Sequence, residues 1–148
     1  MCGIAGILNL SADQPAPAAE TLTSMAAALT HRGPDDQGVE HGEFWGLAHR
    51  RLSILGVATG HQPLANADRT VWVAFNGEIY NYRQLRDELI AAGYVFATQT
   101  DTEVLVHGYA EFGADGLVDR LQGMFAFAIV DVAARKLLLA RDRLGQKP

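Results

Sequence analysis

Hydrophobic positions in this chain gather into runs whose length and spacing predict a succession of strands and helices. Residues 3–10 are apolar over the length of a strand, and a loop follows at residues 13–18, marked by Pro15 and Pro17. Leu22, Met25, Ala26 and Leu29 then recur at i, i+3, i+4 and i+7, the stripe of a helix lying on a core. His31-Arg32-Gly33-Pro34-Asp35-Asp36 ends that helix, because glycine and proline both oppose its continuation. Residues 44–55 read as a strand broken by the basic triplet His49-Arg50-Arg51. Val71-Trp72-Val73-Ala74-Phe75 is a strand without polar alternation, closed by Asn76-Gly77.

The second half turns helical and then returns to strands. Asn81 with Gln84 fits a helix N-cap and its reciprocal partner. Tyr82, Leu85, Leu89 and Ile90 line one face of that helix, which Gly93 ends. Thr100-Asp101-Thr102-Glu103 is a second capping-box pattern, opening a helix through Phe112, with a short helix near residues 115–121 after it. Gly123 leads into an apolar run at residues 124–130, and residues 137–140 are its partner. The few residues between those runs can join only antiparallel neighbours, since a parallel pair needs a long crossover.

An antiparallel sheet with one face in water alternates polar with apolar residues. Three of these strands are apolar on both sides, so both faces of their sheets should be covered. The predicted architecture is α+β, two antiparallel sheets packed together with helices outside. The length, 148 residues, suits one domain with a substantial core. The final stretch, Ala140-Arg141-Asp142-Arg143-Leu144-Gly145-Gln146-Lys147-Pro148, shows no capping helix or polar tail and is expected to be a cut rather than a natural end.

Composition narrows the partners. Net charge is −5 and the isoelectric point is about 5.4, which removes the broad basic footprint of a nucleic-acid binder. No uncharged run approaches a membrane span, and the N-terminus lacks the positive region of a signal peptide. With a single cysteine, no disulfide forms within the chain, and a cytoplasmic location is expected.

That cysteine is Cys2, behind only the initiator Met1. Methionine is trimmed when the next residue is small, which would give one residue both a thiol and a free α-amine. Ordinary pKa values are ~8.5 for a thiol and ~7.7–8.0 for an α-amine. The neutral amine can then take the thiol proton, as in N-terminal threonine nucleophiles. An isolated cysteine is otherwise a small buried hydrophobe.

Five segments change those odds: Met1-Cys2-Gly3-Ile4, His31-Arg32-Gly33-Pro34-Asp35, His49-Arg50-Arg51-Leu52-Ser53-Ile54, Asn76-Gly77-Glu78-Ile79-Tyr80-Asn81 and Asp101-Thr102-Glu103-Val104. Gly123-Met124-Phe125-Ala126-Phe127 and Arg141-Asp142-Arg143-Leu144-Gly145 extend the pattern to the last residues. In order and spacing the chain resembles the class II glutamine amidotransferases. Within them it is most similar to the glutaminase domain of glutamine-hydrolysing asparagine synthetases. The glucosamine-6-phosphate synthase and phosphoribosylpyrophosphate amidotransferase types share the leading Cys-Gly-Ile and an Asn-Gly pair. The fold this implies is the N-terminal-nucleophile hydrolase sandwich, four layers in the order αββα, here without its C-terminal part.

The resemblance also implies roles. Cys2 attacks the side-chain carbonyl of L-glutamine, its α-amine moves the proton, and water releases glutamate from a thioester. Charge on the former carbonyl oxygen needs donors. The family places them at the Asn76 side chain and the Gly77 N–H, a pair that alone would read as a hairpin turn. Arg51 is the implied clamp for the substrate α-carboxylate, a task suited to a forked guanidinium. Asp101 holds the α-ammonium, Glu78 assists it, and Leu52 and Ile54 contribute backbone groups. His31 and His49 show no metal-ligand spacing with Cys2, and no metal is expected.

In asparagine synthetases this domain feeds ammonia to a C-terminal ATP-pyrophosphatase domain that adenylates aspartate. Its Ser-Gly-Gly-Leu-Asp-Ser loop is absent from these residues. ATP and magnesium are therefore expected only for that missing synthetase domain, which is the expected partner alongside glutamine and a possible second copy in a homodimer. Two alternatives remain open at this point. Related amidotransferases amidate other carboxylates, and a chain that kept Met1 would be a non-catalytic glutamine-binding module.

Overall fold

Apolar surface on both sides of the central strands is covered in the computed structural model, which describes residues 1–52 and 60–148. The elements run β1 (Gly3–Leu8), α1 (Ala19–Ala28), β2 (Asp36–His41), β3 (Trp45–Arg51), β4 (Leu64–Ala65), β5 (Val71–Ile79), α2 (Tyr82–Ala91), α3 (Glu103–Arg120), β6 (Gly123–Asp131) and β7 (Lys136–Arg141). They form one sheet in the order β1-β3-β2 and a second in the order β4-β5-β6-β7, with every described pairing antiparallel. Among the described residues no helix is long and apolar enough to cross a membrane.

Three apolar layers hold four structural layers together. Leu22 and Ala26 of α1 pack on Ala48 of β3, with Ala5, Ile7 and Val39 at the margin. Between the sheets lie Phe44, Trp45 and Leu47 from one side and Trp72, Ala74, Ala128 and Val130 from the other. The Trp45 and Trp72 rings meet there with centroids 5.6 Å apart. On the far face of the second sheet, Val73, Phe75, Phe127 and Ile129 pack against Leu85, Leu89, Val104, Leu105 and Leu117 of α2 and α3. The order αββα and the α+β class follow directly.

Several local expectations give way to tertiary partners. β3 runs unbroken through His49-Arg50-Arg51, with Arg50 paired to Gly3 and Gln37, and Arg51 to Asp36. The charges are tolerated because alternation sends Arg50 outward, where it donates to Gly33 O at 2.8 Å and Gln37 Oε1 at 2.9 Å. β5 does not close at Asn76-Gly77 but continues to Ile79, paired with β6 through Ile79 and Gly123. Strands β2 and β4 were not anticipated; β2 is a polar edge strand and β4 has two residues.

Neither capping box forms. Asn81 donates instead to Arg120 O at 2.9 Å and accepts the Gln122 N–H at 3.0 Å, tying the start of α2 to the end of α3. Glu103 accepts the N–H groups of Ala97 and Thr98, each at 2.7 Å, pinning the α2–α3 connection. Ile90 is half exposed rather than part of the buried face, which consists of Leu85 and Leu89. The expected break after Phe112 is a kink inside α3 at Gly113, whose φ of 70° suits glycine.

Candidate active site

Strand parity decides which side chains face the space between the sheets. Successive residues of a strand point to opposite faces. On β3, Trp45 and Leu47 belong to the inter-sheet layer, so His49 and Arg51 share their face. On β5 the same rule aligns Asn76 and Glu78 with Trp72 and Ala74. On β1 it aligns Cys2 with Ile4 and Leu8, and on β6 it aligns Met124 with Ala128 and Val130. Register sets Gly3 opposite Arg50 in one sheet and Glu78 opposite Met124 in the other, and these polar ends of the two sheets meet at one cavity.

A cavity of about 120 Å³ opens there, with Cys2, Arg51, Asn76, Gly77, Glu78 and Asp101 in its wall. Leu52 also lines it; its N–H points at Cys2 Sγ at 3.4 Å, and the thiol faces Leu52 O at 3.8 Å. Arg32 Nε donates to Cys2 O at 3.1 Å, giving the His-Arg-Gly-Pro-Asp segment a grip on the residue that carries the thiol. Met1, 55% exposed, stands at the cavity wall. Ile54 lies outside the described residues.

The outer edge of β5 explains why Gly77 has a donor to offer. β4 pairs only with Trp72 and Val73, so among the described residues the edge beyond has no strand beside it. Phe75 N–H donates to Gln62 Oε1 at 2.7 Å, and Phe75 O accepts from His49 Nε2 at 2.9 Å. Two residues further along the same edge comes Gly77, and beyond it Ile79 N–H donates to Asp101 Oδ2 at 2.9 Å. Backbone groups two residues apart point the same way in an antiparallel strand. The Gly77 N–H therefore points to this edge, between two occupied neighbours and beside the cavity. A Cβ at Gly77 would run into Met124 O, which explains the glycine.

Electrostatics differ sharply across the site. Burial drives the His49 imidazole down from 6.5 to about 4; the Phe75 carbonyl opposes this and the Arg51 charge adds to it. His49 is thus neutral at physiological pH, and its carbonyl partner puts the ring proton on Nε2. Asp101 is held above its ordinary value, first by burial and further by the Glu78 charge, against the pull of the Ile79 N–H. Arg51 is 6% exposed, and its carbonyl accepts the Asp35 N–H at 3.0 Å. No group of His, Cys, Asp and Glu among the described residues could hold a metal ion.

The glutamine amidotransferase domain family matches residues 1–148 of the chain. This chain belongs to that family. Asparagine synthetase (glutamine-hydrolysing) 1 of Bacillus subtilis (strain 168) is 46% identical over 149 residues, covering 100% of this chain and 23% of the relative. The glutamine-hydrolysing asparagine synthetase of Sandersonia aurantiaca is 41% identical over 148 residues, covering 100% of this chain and 27% of the relative. The chain thus spans about a quarter of the length of these curated relatives. The glutamine phosphoribosylpyrophosphate amidotransferase of B. subtilis superposes with a TM-score of 0.73 at 21% identity, covering 98% of this chain and 38% of that one. The fold is that of the N-terminal-nucleophile amidotransferases, and the asparagine-synthetase branch supplies the sequence relatives.

In this glutamine amidotransferase domain, seven residues singled out from sequence, Leu52 among them, share one cavity wall. His31 is exposed, and His49 bonds the backbone of β5 rather than the thiol. Sequence reasoning passed over Gln62, Thr102 and Lys147, which also line the cavity. Gln62 bridges Phe75 N–H and Thr102 Oγ1, the latter at 3.4 Å. Lys147 arrives because Asp142 accepts N–H groups from Phe125, Gln146 and Lys147 at 3.2, 2.9 and 3.2 Å, folding the last residues back. No local pattern marks Gln62, whereas Asp142 lies within the Arg141-Asp142-Arg143-Leu144-Gly145 motif.

Proposed function

We propose that this domain hydrolyses L-glutamine at Cys2 and supplies the ammonia to an aspartate-activating synthetase domain of a longer polypeptide, making asparagine. Removal of Met1 frees the Cys2 α-amine, which takes the thiol proton. Sulfur then forms a bond to the side-chain carbonyl carbon of glutamine, and the carbonyl electron pair moves to oxygen. The Asn76 amide and Gly77 N–H receive that oxyanion. The tetrahedral intermediate collapses, the C–N bond breaks, and the α-ammonium returns its proton to the departing ammonia. Water attacks the resulting thioester, releasing glutamate and restoring Cys2.

Substrate recognition uses the opposite charges of the wall. Arg51 takes the α-carboxylate through two parallel N–H bonds. Asp101 takes the α-ammonium, and a cation there offsets the burial and the Glu78 charge that hold its carboxyl up. Glu78 assists from the same inter-sheet face, and the backbone at Leu52 and Ile54 borders the substrate. ATP and magnesium serve the synthetase domain. The reduced thiol suits a cytoplasmic enzyme.

The observation that carries this reading is the meeting of Cys2 from one sheet with Asn76 and Gly77 from the other, at a cavity also lined by Arg51 and Asp101. The test is intact mass before and after incubation with a diazo-ketone analogue of glutamine. Loss of Met1 and one adduct on Cys2 is expected, with glutamine protecting. A retained Met1, or a processed Cys2 that stays unlabelled, overturns the reading.

A further inference from the structure

We propose that His49 and Gln62 form a positioning clamp on Phe75 that sets the oxyanion donors of β5 against the nucleophile on the other sheet. The inference rests on the glutaminase reading above. Cys2 and Leu52 flank β1 and β3 of one sheet, whereas Asn76 and Gly77 lie on β5 of the second. Away from the site the sheets are registered by interdigitated side chains such as Trp45 and Trp72. At the site a cavity replaces that packing, and apolar attraction is non-directional in any case. The attacking sulfur, the carbonyl carbon and the oxyanion donors nevertheless have to match within a fraction of an ångström.

The bond from His49 Nε2 to Phe75 O, 2.9 Å long, supplies a directional tie. It runs from a β3 side chain to the β5 backbone, across the gap and one residue before Asn76. His49 is 1% exposed, so water does not compete for the carbonyl. Gln62 completes the hold by accepting the N–H of the same residue at 2.7 Å. Both backbone groups of Phe75 are thereby fixed on an edge that β4 does not reach. Gln62 Nε2 also reaches Thr102 Oγ1 at 3.4 Å, beside Asp101, so the clamp links the oxyanion strand to the position proposed for the substrate ammonium. Burial keeps the imidazole neutral, which makes it a constant donor rather than a titrating base.

The test uses the protein expressed from its complete gene, with glutamine hydrolysis as the assay. His49→Phe keeps the ring volume and removes the donor; His49→Gln restores an N–H at similar reach; Gln62→Met removes the acceptor. A geometric role predicts a fall in kcat of about 10²-fold for His49→Phe, with KM for glutamine within about twofold. Inhibition by glutamate γ-semialdehyde should weaken in parallel, because its thiohemiacetal with Cys2 places an oxygen at the oxyanion position. His49→Gln should recover most of kcat, and Gln62→Met should lose kcat while keeping KM. A purely structural role would shift denaturation midpoints without this split. Wild-type kcat in His49→Phe, a loss confined to KM, or no recovery in His49→Gln overturns the clamp. If His49→Phe does not fold, wild-type kcat in Gln62→Met overturns it equally. A wild-type protein without glutaminase turnover would instead sink the underlying functional reading.

Discussion

Acid should destabilise this protein from near neutrality downward, because His49 is buried in a form that refuses a proton. Its ring is 1% exposed and its pKa falls from 6.5 to about 4, chiefly through burial. In the unfolded chain the imidazole titrates at its ordinary ~6.5. Between these values the unfolded state binds a proton that the folded state does not, so stability declines as pH falls. The contribution is complete above pH ~6.5 and is lost on the way to pH ~4, which is worth about 3 kcal/mol. Glu103 works in the same direction but lower. Burial raises its pKa, yet bonds from His107, Thr98 and Ala97 outweigh that and bring it from 4.5 to about 2. Its contribution is therefore present above about 4.5 and lost below. Asp101 has the opposite sign, since a raised folded value makes its charged form a burden that protonation relieves. Denaturant unfolding of wild type and His49→Gln across pH ~7 to ~4 separates these groups, because the variant lacks only the imidazole. Wild type should lose about 3 kcal/mol more than the variant over that window. Parallel curves would refute the assignment of a buried neutral His49.

Two substitutions probe the cavity directly. Gly77→Ala would drive a methyl group into Met124 O and push β5 away from β6; glutamine hydrolysis should fall by about 10²-fold in kcat, and a wild-type kcat would show that the Gly77 N–H is not an oxyanion donor. Arg51→Lys keeps the charge but loses the fork, so kcat/KM for glutamine should fall by about 10- to 10²-fold, mainly through KM; an unchanged KM would remove Arg51 from carboxylate recognition.

The apolar strands and the layered α+β plan were legible because a continuous hydrophobic run of strand length has few other uses. The same local rules failed where a polar segment finds its partners in another layer. His49-Arg50-Arg51 looks like an interruption until the second sheet offers Phe75 O and the α1 side offers Gly33 O. Asn76-Gly77 looks like a turn because the pair favours one, yet β6 supplies a ladder through Ile79. Asn81 and Glu103 sit at helix starts as the capping pattern requires, but their side chains bond Arg120 O and the backbone at residues 97 and 98. A capping box is a local arrangement, and here nonlocal partners displaced it. Gln62 was invisible for a related reason. β4 stops after two residues, and among the described residues the Phe75 N–H is met by the Gln62 side chain rather than by a strand, a nonlocal arrangement that no sequence pattern announces.

The position of the site follows from where the inward-facing series of each strand changes character. Read along the inter-sheet face, β3 offers Trp45, Leu47, His49 and Arg51, while β5 offers Trp72, Ala74, Asn76 and Glu78. β1, read backwards, offers Leu8, Gly6, Ile4 and Cys2. The apolar half of each series seals the sandwich, and the polar half cannot be buried without partners. Register brings the polar halves to the same end, where a cavity and a charged substrate can satisfy them. The strand pattern that stabilises the core thus also fixes the location of the cavity. Shifting β5 by one residue would turn Asn76 and Glu78 toward α2 and α3 and bring Phe75 into the inter-sheet layer. Core packing and the proposed catalytic arrangement therefore favour the same register, and the bonds of His49 and Gln62 to Phe75 lie where the two meet.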